Sequence, residues 1–369
     1  NAATGEVSNM LVEDTQDRPW YQREFMRVDW SSNQILNYQS ATGPFDFAAG
    51  MLKTRVVTDQ DQAAHNESMV YACTNGVQGK NSTLKCDEGA KLSYLDFTTQ
   101  AIVDPPAVDY PGYGRLPYCL FNPTVDCESS NMKIRTSIMK VDEARVDDYE
   151  PLTYTDKMMV KFGFFRNELY TYNKDRYFTY TGQQFFAMRH NIWLKSKELV
   201  KDGQGKQVVD PVSGRPQYKT IPVTQRQVRP VVYYMTDNTP RELWGAAAQR
   251  HAEKDGFEKK NTIEASWDRA FRKAVAVPRG LEWNDPSMPQ MFYVCESPVQ
   301  EGAPAACGKP GTYARIGDLR FHMAPYVDQN AGGLLGLGPS AMDPETGEVV
   351  NAVANVYGAG LDTWAGSSA

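Results

Sequence analysis

The chain has 369 residues, 41% of them apolar and 23% charged, with a formal charge of −6. That length can bury one large or two ordinary cores. The acidic balance argues against a nucleic-acid binder, which needs a basic face to neutralise phosphate, and no apolar run approaches the roughly 18 residues of a membrane span.

The first residues, NAATGEVSN, carry neither a basic nor an apolar stretch, so any signal segment is expected to have been removed already. From there to about residue 235 the pattern is mostly β. MRVDW sets Met26, Val28 and Trp30 opposite Arg27 and Asp29, the alternation of a half-buried strand. KIRTSIMKV (133–141) and FFAMRHNIWLKS (185–196) are further strand candidates. The turn signals DGQG and PVSG flank short strands. PVVYYM (230–235) is a continuous apolar run of strand length, the pattern of a strand buried on both faces.

Six cysteines fall as three close couples: Cys73 and Cys86, Cys119 and Cys127, Cys295 and Cys307. Each couple brackets a turn-rich stretch, and none has the CxxC spacing of a zinc knuckle or redox pair. Sequence alone leaves the connectivity open. The reading adopted is three local disulfides, each worth about 2–3 kcal/mol through loop entropy; the other reading is six buried free thiols. Disulfides imply an oxidising compartment, hence an extracellular or outer-surface location.

Past residue 235 the grammar changes. TPRELWGAAAQRHAEKDG offers Thr239 as N-cap, Pro240 at the first helical position and Glu242 three residues on, which predicts a helix over about 240–254. NTIEASWDRAFRKAVAV predicts a second helix over about 262–275, with Asn261 as cap. Ile263, Trp267, Ala270, Phe271 and Ala274 recur along it at helical spacing. ARIGDLRFHMAPYV (314–327) reads as a strand. GLGPSAMDPETGEVVNA (336–352) reads as a tight turn, a hairpin and the start of another strand over about 348–357. The expectation is an α+β protein with a β-rich domain over 1–235 and a second domain over 236–369.

Catalytic chemistry is hard to find. No two of the four histidines (His65, His190, His251 and His322) lie within five residues of each other, so no single helix presents a metal-binding pair. His251 reads as a solvated helix residue, and His190 and His322 as strand residues with ordinary hydrogen bonds. Nucleophile elbows are absent. QGKNS (78–82) reads as a hairpin tip rather than a phosphate loop, and VDEARVDDYE (141–150) lacks the spacing of a calcium loop. The tyrosine-rich stretch 162–182 raises a carbohydrate- or peptide-binding platform through Tyr172 and Tyr177, although aromatics at that density more often pack sheets.

Taken in order, DNTPRELWGAAAQ, ASWDRAFRKAV, ARIGDLRFHMAPYVD and GLGPSAMDPETGEVVNAVANVYG resemble the front half of a zincin-type metallopeptidase domain. The resemblance is to a group of large secreted lipoproteins of myxobacteria and their relatives. RPWYQREFMRVDWS, DDYEPLTYTD, KFGFFRNE and RPVVYYMTDN are similar to that family's β-rich N-terminal region. The resemblance implies an incomplete zincin-like α/β region, with Gly338, Pro339, Ser340, Asp343, Gly347 and Glu348 belonging to the strand that borders a substrate cleft. The HExxH motif that would hold zinc and activate water is not in these 369 residues. The chain is therefore expected to be inactive alone, with no catalytic residue, metal ligand or cofactor of its own and zinc only in a downstream half. Its partner would be that half of the precursor, another protein or a second copy. The alternative is a processed cell-surface structural or assembly subunit on the same scaffold.

Overall fold

The computed structural model describes residues 54–56, 70–73, 76–77, 92–103, 107–121, 127, 130–140, 148–173, 179–212, 214, 216–328 and 335–368. The strand expected over 26–30, the tip at 78–82, His65, Cys86, residues 141–147 and Tyr177 lie outside these. The chain is α+β and forms two compact units.

Among the described residues, the first unit holds 54–56, 100–103, 107–121, 127 and 130–133. Strand β1 (Thr54–Val56) pairs antiparallel with residues 101–103. A hairpin joins β5 (Ala107–Tyr110) to β6 (Gly114–Pro117), with the Tyr110 ring stacked on Phe121 at 4.5 Å. The Cys119–Cys127 disulfide closes the loop that follows.

The second unit contains β2 (Val70–Cys73), β3 (Gly76–Val77), residues 92–99 of β4 (Leu92–Val103) and residues 134–139 of β7 (Ser130–Met139). Helix α1 (Asp156–Phe162) then leads into an antiparallel hairpin of β8 (Arg166–Asn173) and β9 (Thr179–Ala187). A smaller hairpin pairs β10 (Lys197–Leu199) with β11 (Tyr218–Thr220).

The centre of this unit is a parallel sheet. β12 (Val231–Met235) lies between β13 (Phe292–Glu296) and β14 (His322–Ala324), parallel to both. Beyond β14 the sheet continues through a parallel bridge from Met323 to Val353, and through β15 (Tyr326–Val327) beside β19 (Asn355–Tyr357). On the far side lie β16 (Gly336–Leu337) and β17 (Ser340–Met342), antiparallel to β19 and to β18 (Val349–Ala352). Helix α5 (Gly358–Ser368) follows.

Alternation along β12 assigns its two faces. Tyr234 points to one side and packs with Cys295, Val299, Cys307, Ala314 and Met323. The Cys295–Cys307 disulfide and its loop cover this side. Val231 and Met235 point to the other, where Trp244, Ala247 and Ala248 join Phe292 and Val294. On that side stand α2 (Arg241–Ala247), α3 (Gln249–Ala252) and α4 (Ile263–Arg279).

Several expectations need correction. The boundary expected near residue 235 falls inside the second unit; the change from strand to helix there marks a change of element within one body. The helix expected over 240–254 is α2, α3 and a 3₁₀ turn over Glu253–Asp255, broken where Ala248 is extended. Pro240, not Thr239, is its N-cap. The second helix is capped by Thr262, whose hydroxyl accepts the Ala265 N–H, and runs on to Arg279. The strand expected over 348–357 is two strands, and neither is an edge. Val353 donates to Pro339 on one side, while Val349, Ala354 and Val356 donate to Arg189, Met323 and Pro325 on the other. The outermost segment is instead 336–342, to which its antiparallel partners are joined by the tight Asp343–Gly347 turn.

Buried charge ties the strands around this sheet together. Asp96 on β4 and Asp318 are fully buried. Arg315 bridges both, and Arg320 holds Asp318 through two hydrogen bonds of 2.9 and 2.6 Å. The Tyr94 hydroxyl donates to Asp96 at 2.6 Å, and Arg320 lies 4.1 Å over the Tyr94 ring. Burial, reinforced by the Asp96 acceptor, holds the Tyr94 phenol far above its ordinary range. Removing one partner from such a cluster leaves an uncompensated buried charge, which costs several kcal/mol.

Candidate functional site

A parallel sheet is stable when both faces are covered. The disulfide loop covers one face here, but α2 and α4 cover only part of the other. The remainder is a groove of about 1000 Å³, floored by Tyr233, Met235, Phe292 and Ala324 and walled by α4.

The wall is set by two adjoining faces of α4. One carries Glu264 and Asp268, both buried. Glu264 accepts the backbone N–H groups of Gln249 and Val294 and the Gln290 side-chain amide, while Asp268 accepts those of Met291 and Phe292. These carboxylates supply acceptors along the side of β13 that faces away from β12, and Glu264 also fills the N-terminus of α3. Burial raises the Glu264 carboxyl above its ordinary range, against the lowering effect of the donors around it. The other face is the stripe of Ile263, Trp267, Ala270, Phe271 and Ala274, and all five line the groove. Its pattern signals a core-facing stripe, yet Ile263 and Trp267 are each 54% exposed. Phe271 stacks on Phe292 at 5.9 Å, and Trp267 tilts against both rings.

At one end of the groove the charges are already matched. Arg226 pairs with Glu150 at 2.8 Å and donates to the Ile221 carbonyl. Arg189 donates to the Tyr149 hydroxyl and to the Glu150 carbonyl. The groove is therefore suited to apolar contact rather than to capture of an ion.

His322 has the strand position and ordinary hydrogen bond of its sequence reading, whereas His190 and His251 depart from theirs. His190 and His322, far apart in the chain, meet with ring centroids 4.9 Å apart. The His322 Nδ1 accepts the Ala352 N–H at 3.0 Å. His190 lines the groove, its Nδ1 is buried without a hydrogen-bond partner, and burial pushes its pKa down to about 4. His251, read as solvated, is largely buried against Trp244, with its Nε2 2.7 Å from Glu296. Its solvated reading fails because the helix turns inward where Ala248 interrupts it. Among the described residues, no three His, Cys, Asp or Glu side chains converge on a point where they could hold a metal.

The six residues expected at the cleft border divide into two groups. Gly338, Pro339 and Ser340 lie on the outermost segment of the sheet, and Ser340 lines the groove. Asp343, Gly347 and Glu348 shape the adjoining turn. The Asp343 carbonyl accepts the Gly347 N–H at 2.8 Å, and its side chain accepts the Glu345 N–H. Gly347 has φ +76°, and a Cβ there would lie 2.7 Å from the Ala187 carbonyl oxygen. Glu348 is buried beside Arg189. Sequence reasoning did not find the groove itself; the continuous stripe of α4 was its only local signal.

The chain matches no protein-family model. Comparison with curated proteins and with solved structures likewise finds no match.

Proposed function

We infer that the chain is a non-catalytic, substrate-side part of a secreted metallopeptidase-like protein, acting as a seat for a helical segment carried on other polypeptide. The open groove on the face of a parallel sheet carries this reading. A helix with its side chains is about 10 Å across and rises about 1.5 Å per residue, so about 1000 Å³ accommodates about two turns beside α4. Such a helix would cover the sheet face that α4 leaves open and bury Trp267 and Ile263. In a zincin-like arrangement that segment would bring the zinc-binding imidazoles, and the outer segment 336–342 would border the cleft. The two disulfides among the described residues fit an oxidising compartment, which supports secretion or display on the outer cell surface.

The coding sequence on either side of the 369 residues tests this directly, together with the intact mass of natively isolated protein. The expected result is an associated segment with HExxH on a helix, and weaker association when Trp267→Asp places a charge in the groove. A native protein associated with no such segment overturns the reading. A stable dimer dispersed by the same substitution would favour the assembly-subunit alternative.

A further inference from the structure

Helix α1 has a composition at odds with its surroundings. Its sequence, DKMMVKF, is mostly apolar, yet it buries no residue. Val160 is 89% exposed and Phe162 66%, with Met158 and Met159 also on the surface. Four exposed apolar side chains on so short a helix normally belong inside a core or in contact with lipid. This one is held firmly in its exposed position. The buried Tyr154 hydroxyl donates to the Met158 carbonyl and accepts the Phe164 N–H, tying the two ends of the segment together. Gly163, at φ +69°, closes the helix by donating to the Met159 carbonyl. Arg166 clamps the start of the helix through Asp156 and lies 4.1 Å over the Phe185 ring.

The charges on the tip are one-sided. Asp156, its one acid, is engaged by Arg166. Lys157 and Lys161 are four residues apart and therefore neighbours on the helix surface. Neither is among the ion-paired lysines of the described residues. In a chain of formal charge −6, this locally basic, apolar helix would attract an anionic surface rather than repel it. Lysines beside exposed Phe, Val and Met side chains are the composition of an interfacial helix, in which apolar side chains enter the headgroup–acyl boundary and the ammonium groups stay at headgroup level. At seven residues the helix is far too short to span a bilayer.

We propose that α1 is a membrane-contact tip that docks the protein on an anionic lipid surface, inserting Met158, Met159, Val160 and Phe162 between the headgroups that Lys157 and Lys161 attract. The test uses the full chain in co-sedimentation with phosphatidylcholine vesicles, with and without phosphatidylglycerol. Binding is expected only to the anionic vesicles and should weaken as salt rises. The double variant Val160→Asp/Phe162→Ser should lower the partition coefficient about tenfold or more. Lys157→Glu/Lys161→Glu should abolish the preference for anionic vesicles. Neither pair lines the groove, and unchanged circular dichroism and thermal midpoints would show that both variants fold. Absence of wild-type binding to anionic vesicles overturns the proposal, as does binding that both variants retain. Loss of self-association in the variants, without lipid binding in the wild type, would assign the tip to a second copy of the chain and equally overturn it.

Discussion

Three residues show how local chemistry constrains this fold. His190 is held neutral by burial, with a pKa near 4 against an ordinary value of 6.5. The unfolded chain therefore binds a proton that the native protein refuses between those values, so this residue's contribution to stability is lost as pH falls from 6.5 towards 4. Urea unfolding across that range should show a shallower acid-side slope for His190→Gln than for the wild type. Glu264 satisfies three donors from separate elements. Glu264→Ala should lower unfolding stability by about 3 kcal/mol, whereas Glu264→Gln, which keeps an acceptor, should cost less. At Gly347, any side chain would meet both a left-handed backbone and the Ala187 carbonyl. Gly347→Ala should therefore destabilise by about 2 kcal/mol in the same measurement.

At the scale of elements, α4 was the most legible part of the sequence, because a 3.6-residue period in Trp, Phe and Ala survives any tertiary context. The use of its stripe was not legible. Periodicity identifies an apolar face but not what lies against it, and here that face looks onto an open groove. Trp267→Ser should accordingly change the thermal midpoint little while reducing binding of a hydrophobic dye, as read by fluorescence. The outer segment 336–342 was read as a tight turn leading into a hairpin, not as the outermost strands, for a related reason. Its strands are two and three residues long, and the Gly338-Pro339 signal between them reads as turn. The break at Ala248 was hidden because Glu264, fifteen residues away, satisfies the Gln249 N–H exposed by it. The local Cys295–Cys307 pair was legible from spacing, and its loop covers a whole sheet face. Cys295→Ser/Cys307→Ser should lower stability by about 3 kcal/mol.

Across the second unit, non-local charge does what no single motif announces. Asp96 and Arg315, 219 residues apart in the chain, meet in a buried cluster with Asp318 and Arg320. A single sequence carries no trace of such a pairing, and for that reason a boundary at residue 235 looked natural. The asymmetry of the sheet reaches further. Along β13 the outward amides are already occupied by Glu264 and Asp268, so that margin offers a second chain few open partners. Of the two margins of the central sheet, the one at 336–342 has no described strand beyond it. Indefinite strand-by-strand growth needs two receptive margins, whereas one receptive margin is exhausted when two copies meet across a twofold axis. Pairing through the central sheet alone is therefore self-terminating, and any longer assembly would have to use a different surface.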